Sequence, residues 1–275
     1  MVFPMSASTG FSLCRRPLAY QSHYRIKALL CYLLGYGGGL VSGDSVALTI
    51  SVKPKASAVL TSQSTSKAFC ARPDRPPTEL KTHLTVEEDA LLVWVPQPLQ
   101  CFAKSQLEQS TLVDLKSPKS SLLLLDWYTG GRRNHDDGGW QMDWFKTTTF
   151  VRDCSDNLCL RDATRLSGGL ALQRHMGQYH VVAMMALMGP QVKELACRMK
   201  EQFSTRHSYD EHKDEENEPR GRNTHGLTVS CGTFPYAGDD EGGVLVRVLS
   251  TSVENAGTNK RLLRIFSVWS HEFFS

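Results

Sequence analysis

Short runs in which apolar and polar residues alternate dominate the chain between about residues 46 and 164. In residues 45–53, small or polar side chains alternate with apolar ones, which is typical of a strand with one buried face. Pro54 and Lys55 supply a turn before a second run at 57–61, so we expect the two runs to form a hairpin. Pro, Gly, Asp or Asn separate six further predicted strands: 80–86, 90–95, 105–115, 121–125, 142–151 and 157–163.

Helical periodicity appears only late in the chain. Pro190 stands at a first-turn position, and residues 191–203 place four apolar side chains on one stripe: Val192, Leu195, Met199 and Phe203. A second helix is predicted near residues 258–266. The pattern therefore favours a mainly β fold, built as layers or as a solenoid, with about two α-helices in the C-terminal half.

Composition limits the classes of function. An apolar content of 41% supplies a real core, and a net charge of +3 gives no electrostatic argument for binding nucleic acid. The sequence contains no apolar run of the ~18 residues that a membrane span needs, so we expect a cytoplasmic protein that uses no membrane. Its eight cysteines are scattered, which indicates free thiols. Residues 204–223 are almost devoid of apolar side chains and predict a solvated acidic insertion.

The segment from residue 33 to 67 carries the most specific motifs. Three consecutive glycines, Gly37, Gly38 and Gly39, allow positive φ or a close approach of the backbone to another surface, and Gly43 and Asp44 follow them. The second predicted strand then runs into a string of hydroxyl and amide side chains, SQSTSK. No Gly-Lys-Ser/Thr triplet or helix follows the glycines, which argues against a phosphate-binding loop.

The block GYGGGLVSGD followed by LTSQSTSK resembles the urease accessory protein family UreD, also called UreH. Later segments are similar to the same family in the same order: LLVWVPQPL at 91–99, SLLLLDWYTGGR at 121–132 and GVLVRVL at 243–249. The resemblance divides the chain into an N-terminal segment, 1–23, and a UreD-like β domain, 24–275. The family begins with strands that are not recognisable in 1–23, and they are either missing here or not readable from the sequence.

The resemblance implies a non-enzymatic role in enzyme maturation. UreD-like proteins bind apo-urease and, with partners of the F type and the G type, of which the latter is a GTPase, help to deliver nickel to the urease active site. The resemblance also implies a β-helix-like stack of sheets with an internal passage for Ni²⁺, and no tightly bound cofactor. Such a passage needs oxygen ligands that release the ion, because Cys or His cages would retain it.

Several residues could line such a passage, and each has a structural alternative. Asp44 is either a carboxylate ligand or the cap of a turn. Neutral oxygens at strand spacing come from Thr61, Ser62, Gln63 and Thr65, which could instead pair across strands. Asp126 ends an apolar strand, where a buried acid needs a partner such as Lys67, Arg132 or a cation. Asp162 is a weaker candidate of the same kind.

The alternative function is enzymatic. A β-rich hydrolase or sugar-modifying enzyme could use Asp44 and Asp126 as a carboxylate pair across an open groove. Two carboxylates roughly 5 to 10 Å apart in such a groove would favour the enzyme, whereas an enclosed passage would favour nickel transit.

Overall fold

Two β-sheets face each other and enclose most of the apolar side chains. The structure is a computed structural model that describes residues 5–7, 11–17, 28–35, 38–132, 139–204, 227–236 and 239–253. A six-stranded sheet has the order β1-β4-β7-β10-β12-β13, and a ten-stranded sheet has the order β15-β16-β14-β11-β8-β5-β3-β2 with β6 and β9 at its side. The expected mainly β, β-helix-like stack is therefore confirmed.

The six-stranded sheet is formed by β1 (Met5–Ala7), β4 (Ser45–Val52), β7 (Thr78–Val86), β10 (Gln106–Leu115), β12 (Trp144–Arg152) and β13 (Leu158–Ser167). The ten-stranded sheet is formed by β2 (Phe11–Pro17), β3 (Ala28–Gly35), β5 (Ser57–Ser62), β6 (Ser66–Ala68), β8 (Leu91–Trp94), β9 (Leu99–Cys101), β11 (Ser121–Thr129), β14 (Val181–Met188), β15 (Leu227–Tyr236) and β16 (Asp239–Ser250).

The chain winds between the sheets as a solenoid, and the predicted hairpin at residues 45–61 is wrong. Strand β4 pairs with β7 in parallel in the six-stranded sheet, whereas β5 pairs with β3 and β8 in parallel in the other. Lys55, at φ 60°, turns the chain from one sheet to the other. The β7-to-β8 and β10-to-β11 connections repeat this crossing, so each coil of chain stacks on the one before.

The space between the sheets is filled by two apolar clusters. One includes Ile50, Leu84, Leu92 and Leu122, and the other lies towards the opposite end of the strands around Trp140 and Phe145. A third cluster covers the outer face of the ten-stranded sheet. The central strands of that sheet therefore bury both faces, which explains their near-continuous apolar sequences.

Helix α2 (Lys193–Ser204) follows a 3-10 turn at Pro190–Val192, as the periodicity predicted. Its apolar stripe is buried against the outer face of the ten-stranded sheet, where Met199 is fully inaccessible to solvent. A short helix that the sequence did not predict, α1 (Leu170–Met176), precedes β14. The helix predicted near 258–266 and most of the predicted acidic insertion lie outside the described residues.

The segment 1–23 contains β1 and β2, which pair antiparallel with β4 and β3. Strands are thus present in this segment, and they were not readable from the sequence. Within the described part of the chain, no helix has the length and apolar character needed to cross a membrane.

Candidate functional site

A band of polar side chains separates the two apolar clusters between the sheets. Along β11, Leu122 and Leu124 face the first cluster and Tyr128 faces the second, so Asp126 points into the same inter-sheet space. Along β10 and β12 the alternation likewise turns Gln109 and Thr147 inward from the facing sheet. The strand register places these two residues side by side, opposite Asp126.

Both carboxylate oxygens of Asp126 accept hydrogen bonds across this space. Gln109 Nε2 donates to Oδ1 at 2.8 Å, and Thr147 Oγ1 donates to Oδ2 at 2.9 Å. Burial raises the pKa of Asp126, the two hydrogen bonds partly oppose that rise, and the negative charge of Asp162 adds to it. Asp126 is partly buried, and among the described residues no basic side chain is bonded to it. Neither Lys67 nor Arg132 is its partner.

Asp126 borders a cavity of about 170 Å³ between the two sheets. This volume holds several water molecules, since one water needs roughly 10–15 Å³ of such space. Apolar walls come from Leu33, Leu48, Leu124 and Trp127. The residues of the wall that carry a side-chain oxygen are Ser62, Ser64, Thr65, Ser66, Thr82, Gln97, Gln109, Thr111 and Asp126.

The glycines of the GYGGGLVSGD block shape one side of this cavity. Gly38 and Gly39 both line it, and Gly38 has φ 76°. A Cβ on Gly39 would lie 2.4 Å from the ring of Phe69 and 2.7 Å from the carbonyl oxygen of Lys67. A side chain at Gly39 would therefore displace the backbone at this wall, which is why glycine is needed there.

The structure brings together only part of the predicted site. Asp126, Ser62, Thr65, Gly38 and Gly39 line the cavity. Asp44 occupies a turn instead, where its Oδ2 accepts the N–H of Val41 at 2.9 Å.

The remaining predicted residues lie elsewhere. Gln63 is exposed, and Thr61 and Lys67 do not line the cavity. Gly43 adopts φ 89° in the turn before Asp44, while Gly37 lies outside the described residues. Asp162 forms an ion pair with Arg247 beyond Asp126.

The chemistry of this site is that of weak oxygen ligands. Across the described residues, no group of three or more His, Cys, Asp or Glu side chains comes together as a metal centre. One carboxylate with surrounding hydroxyl and amide oxygens suits a hard or borderline divalent cation that binds and leaves.

Sequence reasoning missed the residues on the facing sheet, above all Gln109 and Thr147. The alternation predicts strands β10 and β12 correctly, but it does not reveal which strand lies opposite Asp126. A polar residue at an inward position of each strand was the available signal.

Comparisons with known proteins identify relatives for nearly the whole chain. A family model described as UreD urease accessory protein matches residues 12–273. The urease accessory protein D of Arabidopsis thaliana is 30% identical over 234 residues, or 82% of this chain and 78% of the plant protein. The urease accessory protein UreD of Sorangium cellulosum is 30% identical over 249 residues, or 88% of this chain and 70% of the bacterial one. The urease accessory protein D of Oryza sativa subsp. indica is 31% identical over 173 residues, 62% of this chain but only 55% of the rice protein.

Proposed function

Because the chain belongs to the UreD urease accessory protein family, we propose that it helps to deliver nickel to the urease active site. It acts in the cytoplasm on apo-urease, together with accessory proteins of the F and G types. In this proposal nickel is cargo, and the protein holds no resident cofactor. The proteins named as its relatives are urease accessory proteins, which supports the general role. The identity of the individual partners and the passage of nickel are proposals that go beyond this general role.

The observation that carries the nickel proposal is the position of Asp126. Its carboxylate faces a cavity large enough for a hydrated path, and its neighbours there offer neutral oxygens. A divalent cation in this space would meet one charged ligand at a time, so binding would be weak enough for release. The apolar parts of the wall give the ion no competing ligand.

The geometry does not favour the enzymatic alternative. A hydrolase of the proposed kind needs Asp44 and Asp126 to flank one bond. Asp44 is hydrogen-bonded within its own turn and does not line the cavity that Asp126 borders. The carboxylate pair is therefore not assembled at this site.

The partner assignment is tested by affinity copurification. The tagged chain is co-expressed with apo-urease and with the F-type and G-type proteins, and the retained proteins are quantified. We expect urease and the F-type protein to be retained in fixed ratios. Recovery of the folded chain alone, from cells that contain all the partners, would contradict the assignment.

A further inference from the structure

An ion pair ties the two sheets together at the far end of the polar band. Arg247 on β16 donates to Asp162 Oδ1 on β13, so the contact joins the ten-stranded sheet to the six-stranded one. The register in the ten-stranded sheet puts Asp126, Met184 and Arg247 in one row on neighbouring strands. The ion pair therefore lies two strands away from the carboxylate that borders the cavity.

The two members of this pair differ in their exposure to solvent. The side chain of Asp162 is 15% exposed, whereas that of Arg247 is 56% exposed. The carboxylate is held inside the stack while much of the guanidinium reaches water. Arg247 can therefore separate from Asp162 by moving into solvent. Asp162 would then stay mostly shielded from water without its counter-charge.

A third group in the same place lacks a partner. Thr149 follows Thr147 by two residues on β12, so both side chains point between the sheets, and it lies directly opposite Asp162 in the register. Thr149 is 1% exposed, and its Oγ1 has no hydrogen-bond partner among the described residues. A buried hydroxyl without a partner is costly. Thr149 therefore offers an oxygen next to Asp162 that no described protein group uses.

We propose that Asp162 and Thr149 form a second oxygen site for a divalent cation, and that Arg247 occupies it as a built-in substitute cation until a metal ion displaces it. This second site would act as a gate at the end of the proposed passage that lies away from the cavity, and in that respect it rests on the proposed function. Thr147 donates to Asp126 and lies diagonal to Asp162 across the β12–β13 pair, so the proposed site neighbours the polar band in the register.

Arg247 also balances the charge of an acid that acts on Asp126. Repulsion from Asp162 already raises the pKa of Asp126, in addition to the larger effect of burial. With Arg247 in place, the charge of Asp162 is balanced while no metal ion is present. An arriving divalent ion carries twice the charge of the guanidinium and can exchange with it, and the return of Arg247 then favours release of the ion.

The test measures Mn²⁺ binding to the full chain by the loss of the free-ion signal in electron paramagnetic resonance. Mn²⁺ suits oxygen ligands such as carboxylates, so histidines and cysteines elsewhere interfere little. Arg247→Gln removes the competitor, and we expect the dissociation constant for Mn²⁺ to fall about ten-fold, which corresponds to ~1.4 kcal/mol. Arg247→Lys keeps a competing charge and should remain close to the unmodified protein.

The matched control is Arg165→Gln, an exposed arginine on the outer face of β13. It removes the same charge from the strand that carries Asp162 and should leave the affinity for Mn²⁺ unchanged. Adding Asp162→Asn to Arg247→Gln should abolish the gain. Equal affinities in Arg247→Gln and Arg165→Gln, or a gain that survives Asp162→Asn, would overturn the proposal.

Folding is checked by the thermal midpoint of each variant, and bound Mn²⁺ should raise that of Arg247→Gln more than that of the unmodified chain. If Arg247→Gln does not fold, Asp162→Asn alone tests the site. It should bind Mn²⁺ more weakly than the unmodified protein does, and an unchanged affinity would refute the site. These measurements contain no urease, so their outcome does not depend on whether the protein delivers nickel to urease.

Discussion

Replacing Thr147 by valine tests the hydrogen bonding of the buried carboxylate. Valine has almost the shape of threonine, so Thr147→Val opens no cavity but removes the hydroxyl that donates to Asp126 Oδ2 at 2.9 Å. The carboxylate then keeps only the hydrogen bond from Gln109. A hydrogen bond to a charged group contributes about 1.5–3 kcal/mol, so the free energy of unfolding should fall by that amount.

The same strand offers an internal control of identical chemistry. Thr149 points the same way, two residues further on, but its buried hydroxyl has no partner among the described residues. Thr149→Val removes an unsatisfied group and should leave stability unchanged or raise it by about 1 kcal/mol. The two substitutions are equal in volume and burial, and they differ only in whether a hydrogen bond is lost.

Both variants are compared with the unmodified chain by urea unfolding and by the thermal midpoint. For a chain of this size ~1 kcal/mol shifts the midpoint by roughly 2–4 °C, so Thr147→Val should lower it by roughly 3–12 °C. Thr149→Val should not lower it. If Thr149→Val destabilises as much as Thr147→Val, the polar band is not organised around Asp126 as described.

Two further substitutions test other parts of the structure. Burial alone would raise the pKa of Asp114, but hydrogen bonds with His83 and Arg152, together with the charges of Lys116 and Arg152, hold it below its usual value. The stability that this carboxylate contributes is therefore present above the unfolded pKa of about 3.9 and is lost as the pH falls through the folded pKa. Asp114→Asn should cost about 2 kcal/mol at pH 7, and its deficit in urea unfolding should disappear in acid; a deficit that stays constant with pH would contradict the ion pairing. Met199→Ala on the buried stripe of α2 should cost about 2–5 kcal/mol of unfolding free energy, and a loss of partner binding without a loss of stability would show that the stripe is a docking surface instead.

The sequence predicted most of the strands between residues 45 and 167, and α2, because period-2 alternation and a 3.6-residue stripe are local signals. It did not distinguish a hairpin from a solenoid coil at residues 54–55. A short Pro-containing turn fits both arrangements, and the choice is made by pairing with strands far along the chain. Strand β14 was missed because its unbroken apolar run, buried on nearly every residue, carries no alternation.

The candidate site was only partly predictable for the same reason. Asp126 was predicted because it is an acid directly after an apolar run, although β11 continues to Thr129. Ser62 and Thr65 were predicted because they belong to the polar string SQSTSK. Gln109 and Thr147, which donate hydrogen bonds to Asp126, come from the facing sheet. Arg247 contacts Asp162 from 85 residues further along the chain. Pairing between sheets depends on the winding of the whole chain, which local patterns do not contain.

The central claim, that nickel passes along the oxygens around Asp126, is tested most directly by the nickel content of co-expressed urease. Asp126→Asn keeps the size of the side chain and removes its charge, and Asp44→Asn makes the same change in the turn outside the cavity. We expect urease purified with Asp126→Asn to contain several-fold less nickel per active site, with the accessory partners still bound, and urease purified with Asp44→Asn to be fully loaded. Full loading with Asp126→Asn would contradict the account.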